Sequence, residues 1–241
     1  IMALPKINET LNFNMTIPST GNKIKYRPYL VKEERILLQA FESKDMQMCL
    51  VAMSDTLTAC IDPRENIEVD KLSTFDIEYM FTQLREKSVG ETSTILISCS
   101  VDDCTEKNEY VINLDDLKVE VSKGSNVIVI TPEISVEMAY PTYATMIKEG
   151  TRDTNKESPS NPVQIMAGCI AAVLTREERI EAADETIESM EEFVGNMTAN
   201  QLQQMAAFLE NMPALKHNAE FECTKCEKKN SVELKGLSDF F

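Results

Sequence analysis

The apolar positions change period along this chain, and the changes mark its elements. Leu11, Phe13, Met15 and Ile17 alternate with polar residues, which predicts a half-buried strand over 11–17. Pro18, Gly21 and Asn22 make a turn, and residues 23–29 continue as a second strand with Ile24 and Tyr26 on one face. An N-terminal hairpin is therefore expected. The period then lengthens. Residues 33–43 place Ile36, Leu37, Ala40 and Phe41 on one helical face, and residues 46–61 repeat this with Met46, Leu50, Met53, Leu57 and Ile61 before Pro63 stops the helix. A third helix, capped by Thr74, carries Ile77, Met80, Phe81 and Leu84 and closes near Gly90.

From 92 to 139 the period returns to two. Ile95 and Ile97, then Tyr110, Ile112 and Leu114, then Val119 and Val121, Val127 and Val129, and Ile134, Val136 and Met138 predict an antiparallel sheet of four to five short strands. A short helix is expected at 142–148. Residues 150–162 are polar with Gly, Pro and Ser, and read as a linker or exposed loop.

The stretch 163–174 is apolar and reads as a helix. The acidic stretch 175–194 continues a spacing of seven through Val173, Ile180, Ile187 and Val194, with Ala183, Met190 and Met197 at a second heptad position that Arg176 interrupts. Two readings stand: one amphipathic helix docked on its own domain, or a seam offered to a partner. Gly195 ends this helix. Thr198 caps the next, striped by Leu202, Met205, Ala206 and Leu209 and stopped by Pro213. The tail alternates again through Ala219, Phe221, Val232 and Leu234 and ends in Leu237, Phe240 and Phe241. Terminal phenylalanines need burial, in the chain's own core or against a partner.

Together these elements predict an α+β fold. A central antiparallel sheet has flanking helices, an N-terminal hairpin, and a C-terminal hairpin packing back on the sheet, whose C-x2-C pair Cys223 and Cys226 makes it zinc-ribbon-like. The expected organisation is an α+β region over 1–149, a linker over 150–162, a helical region over 163–213 and a C-terminal hairpin over 214–241.

Composition narrows the function. The chain has 241 residues and a formal net charge of -16, with 43% hydrophobic residues, one His and no Trp. Such a charge disfavours nucleic acid and anionic membranes as main partners. No apolar run is long enough for a transmembrane helix. The opening residues lack a charged-then-apolar signal pattern, and Met2 is taken as the natural start. A protein of the cytoplasm is expected.

The seven cysteines are odd in number and do not suggest a disulfide framework. Cys49, Cys60 and Cys169 sit in apolar patterns and read as small core residues. The other four are paired: Cys99 and Cys104 as C-x4-C, Cys223 and Cys226 as C-x2-C, each between two strands. Each pair alone is weak. Together they could supply four thiolates to a structural zinc ion. The sequence also echoes itself here. Asn108 and Asn230 follow the second cysteine of each pair at the same interval, and Leu114 and Leu117 recur as Leu234 and Leu237. Two other readings remain: hairpins that carry no metal, and a redox pair at Cys223 and Cys226. The redox reading is disfavoured because such a motif normally opens a helix, whose dipole lowers the thiol pKa. His217 could replace one ligand or lie at the surface. Glu33 with Glu34, and Asp115 with Asp116, read as solvated or dipole-complementing charges. No nucleotide-binding glycine motif, nucleophile elbow or metalloprotease motif occurs, and no nucleophile stands beside a base, so no catalytic residue is assigned.

Several longer segments carry a resemblance. The opening Met2-Ala-Leu-Pro-Lys, the stretch S-T-G-N-K-I-K-Y-R-P-Y-L-V-K-E-E from Ser19 to Glu34, and L-S-T-F-D-I-E-Y-M-F-T-Q-L-R-E-K-S-V-G-E from Leu72 to Glu91 resemble the baseplate hub protein family of T4-like contractile-tailed phages. So do Met138-Ala-Tyr-Pro-Thr and the closing F-E-C-T-K-C and L-K-G-L-S-D-F-F. The family's first cysteine pair is more closely spaced, and the C-x4-C here departs from it. The resemblance implies a non-enzymatic hub subunit or hub assembly factor. It implies other baseplate hub proteins as partners, without nucleic acid, membrane or small-molecule substrate, and a setting in the host cytoplasm during assembly or in the virion baseplate. Partner contacts are then expected along Val173, Ile180, Ile187 and Val194 and at Phe240 and Phe241, with zinc fixing the fold. The competing reading is a zinc-ribbon protein-binding module or regulator unrelated to phage tails.

Overall fold

The computed structural model describes residues 12–43, 45–101, 104–119, 125–145 and 162–240. The chain divides into two compact units. One is Ile1–Glu120 with Ala214–Phe241, and the other is Val121–Pro213. Strand pairing explains why these boundaries differ from the expected ones. The C-terminal hairpin is bonded to a strand before residue 120, and the strands around 127–138 are bonded to one after residue 169. The expected linker lies outside the described residues, apart from Pro162.

The first unit opens with β1 (Phe13–Thr16) and β2 (Lys23–Tyr26), paired antiparallel as the alternation predicts. Gly21, at φ +71°, provides the left-handed backbone that the turn needs. Helices α1 (Val31–Ser43), α2 (Met46–Cys60) and α3 (Thr74–Ser88) follow, with α1 packed on α2 and α2 on α3. Asp45 starts α2 by accepting hydrogen bonds from the N–H groups of Gln47 and Met48 at 2.9 and 3.2 Å. Thr74 is already inside α3, whose cap is Ser73. The N-terminal hairpin is tied to α3 by polar bonds. Ser19 N–H donates to the buried Asp76 at 2.9 Å, and Tyr26 Oη donates to Gln83 O at 3.3 Å. Leu37 and Ala40 of α1 turn inward, whereas Ile36 and Phe41, expected on the same face, are exposed.

The strands between 92 and 139 do not share one sheet. β3 (Thr92–Ser98) and β4 (Lys107–Asn113) form a two-stranded hairpin. β5 (Lys118–Val119) joins the later C-terminal hairpin. β6 (Val127–Val129) and β7 (Ser135–Met138) belong to the second unit. There the order is β6-β7-β8-β9, all antiparallel, with β8 at Ile170–Leu174 and β9 at Arg179–Glu181. A helix begins at Tyr143, and the rest of the expected 142–148 helix lies outside the described residues.

The stretch 163–194 corrects the helical expectation most. It holds a short helix α4 (Pro162–Gly168), strands β8 and β9, and a second helix α5 (Ile187–Gly195). Val173 and Ile180 therefore sit opposite one another in a strand pair, and only Ile187 and Val194 are helical. A continuous heptad seam does not exist. The turn between β8 and β9 is closed by Thr175, whose N–H donates to Glu178 O at 2.9 Å. Helix α6 (Ala199–Glu210) begins with a reciprocal cap between Thr198 and Gln201. Val136, Met138, Met166, Ile170, Met190, Val194 and Met205 form the core of this unit.

The chain ends with β10 (Leu215–Glu222) and β11 (Lys229–Lys235), in the order β11-β10-β5. Ile97 and Ile112 of the first hairpin, with Leu114 and Leu117 just after it, share one core with Leu215, Ala219 and Leu234 of the second and with Phe240 beyond it. The C-terminal hairpin thus packs back as expected, within an α+β architecture.

Candidate metal centre

The two hairpins of the first unit are built alike. In β3/β4 the last pair is Ser98 with Lys107, followed by Cys99 N–H donating to Glu106 O at 2.9 Å. In β10/β11 the last pair is Glu222 with Lys229, followed by Cys223 N–H donating to Lys228 O at 3.0 Å. Each hairpin therefore presents its first cysteine at the same point of the ladder. The core shared by Leu114, Leu117, Leu215 and Leu234 holds the two hairpins together.

That packing brings the four cysteines into one cluster. Their sulfurs all lie within 4.8 Å of one another. Cys99 Sγ is 3.7 Å from Cys226 Sγ, and Cys104 Sγ is 3.7 Å from Cys223 Sγ. The close pairs cross from one hairpin to the other. A disulfide needs sulfurs about 2.05 Å apart, and all four cysteines are free thiols. A tetrahedral ion bound by thiolates at about 2.3 Å requires sulfurs about 3.8 Å apart. The two close pairs, at 3.7 Å, match that requirement, and the other separations reach at most 4.8 Å. Cys99, Cys104 and Cys223 are buried and Cys226 is half-buried, with Val101 packed beside them. In the longer first pair Cys104 N–H donates to Val101 O at 2.8 Å, and Asp102 and Asp103 lie outside the described residues.

The electrostatics divide the sulfurs. N–H groups of Cys226 and Lys225, with help from the Asn108 side chain, bring the Cys223 thiol down to about 6. The Lys228 N–H favours a thiolate at Cys226 too, but burial and the sulfurs of Cys223, Cys99 and Cys104 outweigh it and push that thiol up to about 11. A lowered Cys223 beside a raised Cys226 is the split that mutual repulsion of clustered sulfurs produces. A divalent ion would remove that repulsion and release the remaining protons.

Other residues singled out in the sequence fall elsewhere. His217 sits on β10 with Nε2 3.1 Å from Tyr110 Oη, and is not in the cysteine cluster. Glu33 is not a solvated charge. It is buried, ion-pairs with Arg27 at 2.9 Å, and accepts from Leu30 N–H at 2.8 Å. Cys60 and Cys169 are buried, and Cys49 is half-buried with its thiol donating to Ala40 O at 3.3 Å. Phe240 is fully buried in its own core, so it offers no free surface, and Phe241 lies outside the described residues. Along the expected seam, Val173 and Val194 are buried, Ile180 is half-buried, and Ile187 is 47% exposed.

The sequence model of a family described as "T4 bacteriophage base plate protein" matches residues 10–241. The chain belongs to this family. The match spans both compact units and both cysteine hairpins, so the four-sulfur cluster lies within the baseplate family region rather than in an appended segment. Comparison with curated proteins and with solved structures finds no significant match. Two residues of the baseplate chain's cluster had no role in the sequence reading: Asn108 and Asn230. Their signal was present, as the asparagine that recurs at one interval after each second cysteine.

Proposed function

We propose that this baseplate-family chain is a hub component or hub assembly factor of a contractile-tailed phage, non-enzymatic and acting through protein contacts. Family membership over 10–241 carries the reading. Zinc, held by Cys99, Cys104, Cys223 and Cys226, serves as a structural staple in it. The partners are other baseplate hub proteins, and the chain works in the host cytoplasm during assembly or in the virion tail. A net charge of -16 makes uncharged or basic protein surfaces the natural partners and polyanions poor ones. Among the described residues no helix is long and apolar enough to cross a membrane.

The contact residues are not the ones a heptad would choose. Exposed apolar side chains concentrate on α1 and α2, at Val31, Ile36, Leu38, Phe41, Met48 and Val51. Ile187 is the exposed member of the old seam. Exposed apolar side chains clustered on neighbouring helices are the kind of surface through which protein partners pack. The test is genetic and quantitative. Removing the chain should abolish complete baseplates, and L38D with F41D should do the same while the isolated protein stays folded. Counting copies by mass spectrometry in purified particles and in infected-cell lysate then separates a subunit from an assembly factor. Normal tails in the absence of the chain would sink the reading.

A further inference from the structure

We propose that Asn108 and Asn230 are the positioning residues of the four-cysteine centre, acting as a pair of crossed latches that hold each knuckle against the opposite hairpin. This rests on the reading of that centre as a site for a thiophilic divalent ion such as zinc.

The geometry is reciprocal. Asn230, on the second hairpin, reaches the first. Its Oδ1 accepts from Ser100 N–H at 2.8 Å and from Ser100 Oγ at 2.7 Å. Asn108, on the first hairpin, reaches the second. Its Oδ1 accepts from Thr224 N–H at 2.8 Å and from Thr224 Oγ1 at 3.0 Å. Ser100 and Thr224 each directly follow the first cysteine of their pair. The same three groups, a side-chain carbonyl, a backbone N–H and a hydroxyl, therefore meet twice. Both asparagines are buried. Backbone N–H groups only donate, so each facing amide atom must be the oxygen, and the amide orientation follows from the partners.

The amide nitrogens complete the arrangement. Asn108 Nδ2 donates to Cys223 Sγ at 3.7 Å, and Asn230 Nδ2 donates to Lys228 O at 2.8 Å, inside its own knuckle. Cys99 Sγ donates to Asn230 Oδ1 at 3.4 Å. As a metal-bound thiolate, Cys99 would have given its proton to solvent and would no longer make that last bond. The bonds to Ser100 and Thr224 involve no ligand sulfur and survive loading. They hold the sulfurs in place before the ion arrives, so less ordering entropy is lost on binding.

The experiment compares zinc affinity, by competition with a coloured chelator, in the full-length protein and in N108A, N230A, T224S and N126A. Cobalt substitution reports ligand geometry through thiolate charge-transfer and d–d bands. Each latch variant is expected to bind one ion through four thiolates, about 10- to 100-fold more weakly, which is the usual cost of losing an outer-shell partner. T224S keeps the hydroxyl and should bind as the parent does. N126A removes a hydrogen bond to Met138 O in the other unit and should lower stability without touching affinity. Latch variants that bind zinc as tightly as the parent would overturn the inference and leave the metal site standing. A parent protein that takes up neither zinc nor cobalt would overturn both.

Discussion

Glu33 shows how one residue's surroundings change its meaning. Burial alone would raise its carboxyl pKa. Hydrogen bonds from Arg27, the Leu30 N–H and Lys32 outweigh burial and hold it below its ordinary value. A carboxyl with a lowered folded-state value stabilises above its unfolded value and loses that contribution as pH falls through the folded one. The parent should therefore lose melting temperature on acidification below about pH 4.5, and E33Q should flatten that part of the profile. At neutral pH the same substitution should cost about 2 kcal/mol, as loss of hydrogen bonds to a buried charge does. A pH profile unchanged by E33Q would remove this residue from the account. Gly236 makes a second residue-scale case. Its φ is +75°, where β11 turns into the final 3-10 turn, and G236A should cost at least about 1 kcal/mol by chemical denaturation.

At the scale of elements, the same periodicity rules succeeded and failed for identifiable reasons. α1, α2 and α3 were legible because their apolar residues recur at helical spacing and Pro63 and Gly90 punctuate them. The 163–194 stretch was misread because a spacing of seven can arise without a helix. Val173 and Ile180 meet as a cross-strand pair, and Thr175 to Glu178 turn the chain without Gly, Pro or Asn. Strong helix formers such as Glu177 and Glu178 are overridden there by the pairing of β8 with β7. α6 was legible from its Thr198 cap and its stripe of Leu202, Met205, Ala206 and Leu209, and T198A should cost its unit about 1 kcal/mol in denaturant titration. β3 carries no charged residue, and Leu96 and Val111 stand 63% and 61% exposed on the outer face of its hairpin. L96K should leave the melting temperature nearly unchanged and reduce concentration-dependent aggregation, measured by light scattering.

For the whole molecule, the metal centre and the second unit make separable predictions. The four cysteines join residues on both sides of 121–213, so an ion bound there closes a long loop as well as a local site. Stripping the protein with a chelator should lower the melting transition, and zinc at about 1,000 times its dissociation constant should restore about 4 kcal/mol. C223S should abolish that response. Met205 is fully buried in the core of the second unit. M205A should destabilise that unit by about 2–5 kcal/mol while zinc stoichiometry stays the same. Loss of zinc binding in M205A would contradict the division.

The sequence alone determined the local elements whose signals are local: the N-terminal hairpin, α1 to α3, α6, and the two strand-flanked cysteine pairs with their repeated asparagine. It also carried the family likeness, which lies in contiguous segments. Only the tertiary structure decided which strands pair, because pairing depends on partners distant in the chain, as β5 with β10 and β7 with β8 show. It decided that Phe240 is core rather than surface, because burial depends on what the far hairpin supplies. It also placed Asn108 on Thr224 and Asn230 on Ser100, a contact between hairpins that no spacing within either one encodes.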